Sequence, residues 1–148
     1  MTRVALLKCE DYDSLLIRER MVEALKLIGL EPGIFKGKRV IVKPNLLSAT
    51  APEKSVVTHP EFFRAALRIV RDHGGTPLLC ESPAFQPLAK VMKKTGYDQI
   101  VEEEGCEVAD PRDTAILFSD GPCRYKRFEI SSAVADADII VNLPKFKT

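Results

Sequence analysis

The sequence predicts an α/β fold, a mainly parallel sheet with helices on both faces, incomplete at its C-terminal end. Three observations carry that reading. Short apolar runs, Val40-Ile41-Val42, Leu78-Leu79-Cys80 and Ile139-Ile140-Val141, are too brief for helices. Between them lie helical stretches and connections long enough for parallel crossovers. Two of the runs also end in kindred polar tails, Lys43-Pro44-Asn45 and Asn142-Leu143-Pro144-Lys145-Phe146-Lys147-Thr148.

The elements follow in order. Arg3 to Lys8 reads as a first strand, and Glu10-Asp11-Tyr12-Asp13 as a turn. Ile17, Met21, Ala24 and Ile28 recur at helical spacing, which predicts a helix from Ser14 to Leu30, capped by Asp13 or Ser14 and stopped by Pro32-Gly33. Arg39 to Lys43 is the next strand, and Pro44, with no N–H to donate, ends its pairing. Leu46 to Val57 is a long polar loop, a length that often accompanies function. Thr58-His59-Pro60-Glu61 then reads as a capping box in which the Thr58 hydroxyl takes the Glu61 N–H.

Phe62, Phe63, Ala66, Leu67, Ile69 and Val70 form the buried face of that helix, which Gly74-Gly75 stops. Leu78 to Cys80 is a short strand running into Glu81-Ser82-Pro83. Leu88 to Glu104 is helical with a break near Thr95-Gly96, and Cys106 to Val108 a short strand. Phe118 and the Tyr125 to Ile130 stretch suggest an antiparallel pair or an excursion from the main sheet. Ser131 to Asp136 is a short helix or turn, and Asp138 to Leu143 the final strand.

With 148 residues, 45% apolar and 29% charged, the chain suits one α/β domain, or the N-terminal part of a larger one. A net charge of +1 leaves any positive field local and argues against nucleic acid. No apolar run approaches the roughly 20 residues that span a bilayer, and the opening run is too short for a signal peptide. The expectation is a cytoplasmic domain with no membrane partner. Cys9, Cys80, Cys106 and Cys123 stand at least 17 positions apart, so no iron–sulfur cluster is expected. Cys9 and Cys80, at strand positions, read as small core residues.

Parallel strands deliver their C-termini to one edge, where open α/β sheets bind ligands. There the sequence gathers Lys43, Asn45, Ser82, Asn142, Lys145 and Lys147 with the helix start at Thr58. Lysines bring charge, asparagines fix orientation, and a helix start adds free N–H groups and partial positive charge. Together they describe a cradle for a small anion, with Glu81 as the available acid–base or metal group. Each piece also has a plainer use. The lysines serve as solvated strand ends, and the asparagines satisfy turn backbone. His59 reads as idle at a helix start, and His73 as serving a helix dipole.

Val42-Lys43-Pro44-Asn45-Leu46-Leu47, Thr58-His59-Pro60, Glu81-Ser82-Pro83 and the closing Asn-Leu-Pro-Lys-Phe-Lys-Thr resemble the domain-of-unknown-function family numbered three-six-two. The likeness runs nearly end to end. It implies company with ferredoxin-like iron–sulfur domains, and a histidine plus further α/β structure after the lysine-threonine ending. The leading functional reading is an anion-binding domain that forms part of an enzyme. The alternatives are an accessory electron-transfer protein docking a ferredoxin-like partner, and a protein-interaction module.

Overall fold

A computed structural model describes residues 2–146, so Lys147 and Thr148 lie outside it. The main sheet holds four parallel strands in the order β3-β2-β1-β6: β1 is Arg39–Pro44, β2 Thr76–Leu79, β3 Glu107–Val108 and β6 Ile139–Leu143. A separate antiparallel pair joins β4 (Thr114–Phe118) to β5 (Arg127–Ser131). The helices are α1 (Ser14–Ile28), α2 (Pro60–Asp72), α3 (Leu88–Thr95), α4 (Tyr97–Glu103) and α5 (Ser132–Ala135).

Strand order explains which face each helix covers. The steps β1–α2–β2 and β2–α3–α4–β3 move the same way across the sheet, and right-handed crossovers then keep their helices on one face. There Val40, Val42 and Leu79 pack with Phe63, Leu67, Val70, Val91, Tyr97 and Ile100 in the larger core, against which Met21, Val22 and Leu25 of α1 also lie. The return from β3 to β6 runs the other way and crosses the opposite face. Ile41, Leu78 and Cys80 meet Ala133 of α5 there in a smaller core. Ile140 on β6 stays half exposed.

Local chemistry fixes the element ends. The Asp13 carboxylate caps α1, accepting from Leu15 N at 3.0 Å and Leu16 N at 2.9 Å. Gly29 closes the helix at φ 84°, a left-handed conformation that suits glycine. The stop therefore comes ahead of Pro32-Gly33, which belong to a 3-10 turn over Pro32–Phe35.

Three expectations are corrected. Arg3 to Lys8 is not a strand of the sheet: among the described residues the segment pairs with no strand, and Val4 is 88% and Leu6 96% exposed. Ala5 and Leu7 turn inward, so the strand-like alternation survives without a ladder. Cys9 is exposed, its Sγ donating to Asp11 O at 3.3 Å, while Cys80 and Cys106 are buried. The Thr58–Glu61 capping box does not form. His59 is the N-cap, its Nδ1 accepting from Glu61 N at 3.3 Å, and the Glu61 carboxylate turns to Arg64.

Candidate functional site

β1 and β6 lie side by side, with Lys43 opposite Asn142 and Pro44 opposite Leu143. Thr58 ties their ends together. Its hydroxyl donates to Leu143 O at 2.6 Å and accepts from Asn45 N at 3.0 Å, while Thr58 N donates to Asn45 O at 3.0 Å. The Tyr97 hydroxyl donates to Thr58 O at 3.0 Å, and burial pushes that phenol's pKa up. A residue 4% exposed with all these bonds is structural first. Its hydroxyl is committed inside the fold.

The polar residues divide around this knot. Lys43 shares the strand parity of Ile41 and so belongs to the α5 face, where its ammonium donates to Glu81 Oε2 at 2.6 Å. Glu81 also accepts from Ser82 N at 3.1 Å. Asn142 is exposed beside Lys43 in register, and the Asn45 side-chain amide points at Val56 O, 3.5 Å away.

Lys145 lies elsewhere. A cleft of about 300 Å³ opens among Cys9 to Tyr12, Thr58, His59 and Lys145, floored by Ile17, Phe62 and Pro144. It contains Thr58 and Lys145 but not Lys43, Asn45, Glu81, Ser82 or Asn142. Lys147 falls outside the described residues.

Inside the cleft the Tyr12 and His59 rings stack, centroids 3.8 Å apart and planes 16° from parallel. Lys145 Nζ donates to the Tyr12 hydroxyl at 3.5 Å. Among the described residues no carboxylate lies within ion-pair distance of Lys145, whereas Lys43 is neutralised by Glu81. Burial lowers the His59 pKa, and the Lys145 charge lowers it further against the opposing pull of Glu61 and Glu53. His59 is therefore neutral at pH 7, and with Nδ1 accepting from Glu61 its proton sits on Nε2. A lysine charge, an imidazole N–H and a phenol thus surround one space. Glu10 is turned to Lys8, and Asp11 accepts from Tyr12 N at 2.6 Å.

The α2 start gives this cleft less than expected. Pro60 has no N–H, Glu61 N is taken by the His59 ring, and Phe62 N donates to His59 O at 3.0 Å. The dipole remains, but those donors are used. Among the described residues, no group of three His, Cys, Asp or Glu side chains is placed to hold a metal ion.

Tyr12 and His59 were not singled out from the sequence as site residues. A signal existed: α1 and α2 both run antiparallel to the strands, so the residues just before each helix share the ligand-binding edge.

Fold and cleft define a parallel α/β domain with a polar cleft at its strand C-termini, where Lys145 shares the lining with Glu10 and Asp11. The chain belongs to the family described as Domain of unknown function (DUF362), whose model matches residues 40–148. It is similar to a thylakoid-associated protein of Synechocystis sp., 28% identical over 146 residues, covering 98% of this chain and 45% of that protein. The chain therefore spans less than half of that relative's length. No solved structure matches it. No helix among the described residues is long and apolar enough to cross a membrane.

Proposed function

We propose that this domain binds a small anionic ligand at the C-terminal edge of its sheet and forms part of an enzyme. The observation that carries the reading is Lys145. Its charge lacks a carboxylate partner among the described residues and stands beside a neutral His59 and the Tyr12 hydroxyl in a cleft of about 300 Å³. Lys145 supplies charge, and the His59 Nε2–H and Tyr12 O–H supply direction. Lys43, Asn45, Ser82 and Asn142 furnish further polar contacts at the same edge, with Glu81 as the acid–base group for a ligand that reaches beyond the cleft.

The test is titration with inorganic phosphate and with short carboxylates by calorimetry. A charge-assisted hydrogen bond contributes about 1.5–3 kcal/mol, so Lys145→Ala should weaken binding by about tenfold or more while leaving the melting midpoint nearly unchanged. Wild-type affinity in Lys145→Ala, or no binding of any of these anions by the wild type, rejects the reading.

A further inference from the structure

The antiparallel pair β4–β5 stands apart from the main sheet. Its base is tied to α5, where Ser132 N donates to Asp113 O at 3.0 Å and the Ser132 hydroxyl donates to Asp113 Oδ1 at 2.8 Å. Register assigns the apolar side chains to two faces: Leu117, opposite Phe128, falls on one, and Ile116 and Phe118 fall on the other. All four are exposed, Phe118 to 76%, and Tyr125 beside the turn is 65% exposed. A two-stranded ribbon with such residues in water is marginally stable without cover. Charge is sorted along it. From Phe118 to Arg127 the chain carries Arg124, Lys126 and Arg127 against Asp120 alone, a net charge of +2 at the tip. Among the described residues, none of these three cations lies within ion-pair distance of a carboxylate. Lys126 Nζ donates to Gly121 O at 2.6 Å, and the Arg124 guanidinium lies 5.8 Å from the centre of the Tyr125 ring. The other carboxylates of the ribbon stand farther from the turn and are engaged: Asp110 with Arg112, Asp113 with Ser132, and Glu129 with the Thr114 hydroxyl.

We infer that the β4–β5 tip seats on an anionic membrane surface, with Phe118 and Tyr125 at the boundary of headgroups and acyl chains and Arg124, Lys126 and Arg127 on lipid phosphates. Two observations choose this occupant. Both faces of the ribbon hold exposed apolar side chains, and a protein docked on one face would leave the other in water. A lipid interface surrounds the tip from both sides. The three unpaired cations also stand at the same end as the two most exposed aromatic residues of the ribbon, with Arg127 opposite Phe118 in register. Cations answer the lipid phosphates while aromatic rings fill the interface, so each class of side chain meets its own layer. Among the described residues the pair bonds to no third strand, and its open backbone edges limit the depth to headgroup level, where water still reaches them. A seat of this kind needs no spanning segment, and it is independent of the Lys145 cleft.

The chain has no tryptophan, so Phe118→Trp places a single reporter at the tip of the 148-residue protein. Leu27→Trp, at an exposed position on α1, is the control. The experiment follows sedimentation and fluorescence with vesicles of phosphatidylcholine alone and of phosphatidylcholine mixed equally with phosphatidylglycerol. Each net charge near an anionic surface is worth about fivefold, so the mixed vesicles should bind about 30-fold more tightly at low salt, and added salt should erode the gain. Emission of Phe118→Trp should shift to the blue on mixed vesicles, and that of Leu27→Trp should not. Replacing Arg124, Lys126 and Arg127 together by glutamine should abolish the preference for mixed vesicles. Phe118→Ser should weaken binding to them about tenfold and keep the preference, with circular dichroism confirming the fold of each variant. No binding to mixed vesicles, or binding that survives the triple glutamine variant, overturns the inference. A blue shift for Leu27→Trp with none for Phe118→Trp overturns it too, because another face then meets the lipid. Salt-sensitive binding to polyglutamate or to single-stranded DNA, with none to vesicles, rejects the membrane and gives the tip an acidic protein or a nucleic acid instead.

Discussion

Replacing Thr58 by valine keeps the branched shape and removes only the hydroxyl. That hydroxyl bridges Leu143 O at 2.6 Å and Asn45 N at 3.0 Å in a site 4% exposed to solvent. Two hydrogen bonds, each worth about 0.5–1.5 kcal/mol net, would be lost, and a backbone group stranded out of water adds about 1–3 kcal/mol. The expected destabilisation is about 2–6 kcal/mol, or roughly 5–25 °C in melting midpoint for a chain of this size. Thr58→Ser keeps the hydroxyl and loses one methyl, so it should fall by only about 1 kcal/mol. Urea and thermal unfolding of wild type and both variants provide the comparison. If Thr58→Val melts within 2 °C or so of wild type, or if serine costs as much as valine, the hydroxyl is not the tie between the strands. A valine variant of unchanged stability that loses anion binding would return Thr58 to the ligand site.

Gly75→Ala should destabilise by about 1–3 kcal/mol, because an added Cβ would sit 2.9 Å from Phe35 O and 2.8 Å from Val70 Cγ1; Gly33→Ala, with nothing within 4 Å, is the neutral control in the same melts. The lowered His59 pKa means the unfolded chain takes up a proton before the folded one, so this residue's contribution is full above about pH 6.5 and is lost as pH falls through the folded pKa. His59→Asn, which retains a capping side chain, should flatten that acid-side fall in urea midpoints between pH 7.5 and 5.5; an unchanged slope would reject the assignment. Tyr97→Phe leaves the Thr58 carbonyl without its 3.0 Å donor and should cost about 1–3 kcal/mol by urea unfolding, with anion affinity unchanged.

The parallel sheet was legible because Val40-Ile41-Val42 and Ile139-Ile140-Val141 are short apolar runs whose partners could only be reached by crossovers, and β1 and β6 are indeed neighbours. Arg3 to Lys8 has the same local grammar but no ladder, because alternation states which side a residue turns to and not whether a partner is present. Thr58 was read through its local sequence, where Ser/Thr-x-x-Glu signals a cap. A bond to Leu143, 85 positions away, won the hydroxyl instead. Lys43 and Lys145 looked equivalent as strand-end lysines. Strand parity and the Glu81 partner separate them, and neither is visible until the sheet is assembled. The stacking of Tyr12 on His59 joins two helix starts whose spacing in the fold no sequence window contains.

The return of β6 to the side of β1 also bears on the order in which the molecule assembles. β1 pairs with β2 across fewer than 40 positions, as in Ile41 with Leu78, whereas Val40 meets Ile139 only after almost 100 intervening residues. Closing the longer loop costs more chain entropy, and its contacts give nothing back until the ends meet. The expected sequence of events is a β1–α2–β2 nucleus first and docking of β6 last. Ile139→Val should then speed unfolding and leave the refolding rate nearly unchanged, whereas Ile41→Val should slow refolding. The pocket around Lys145 would thus come into being at the final step of folding and be the first part lost when the chain opens.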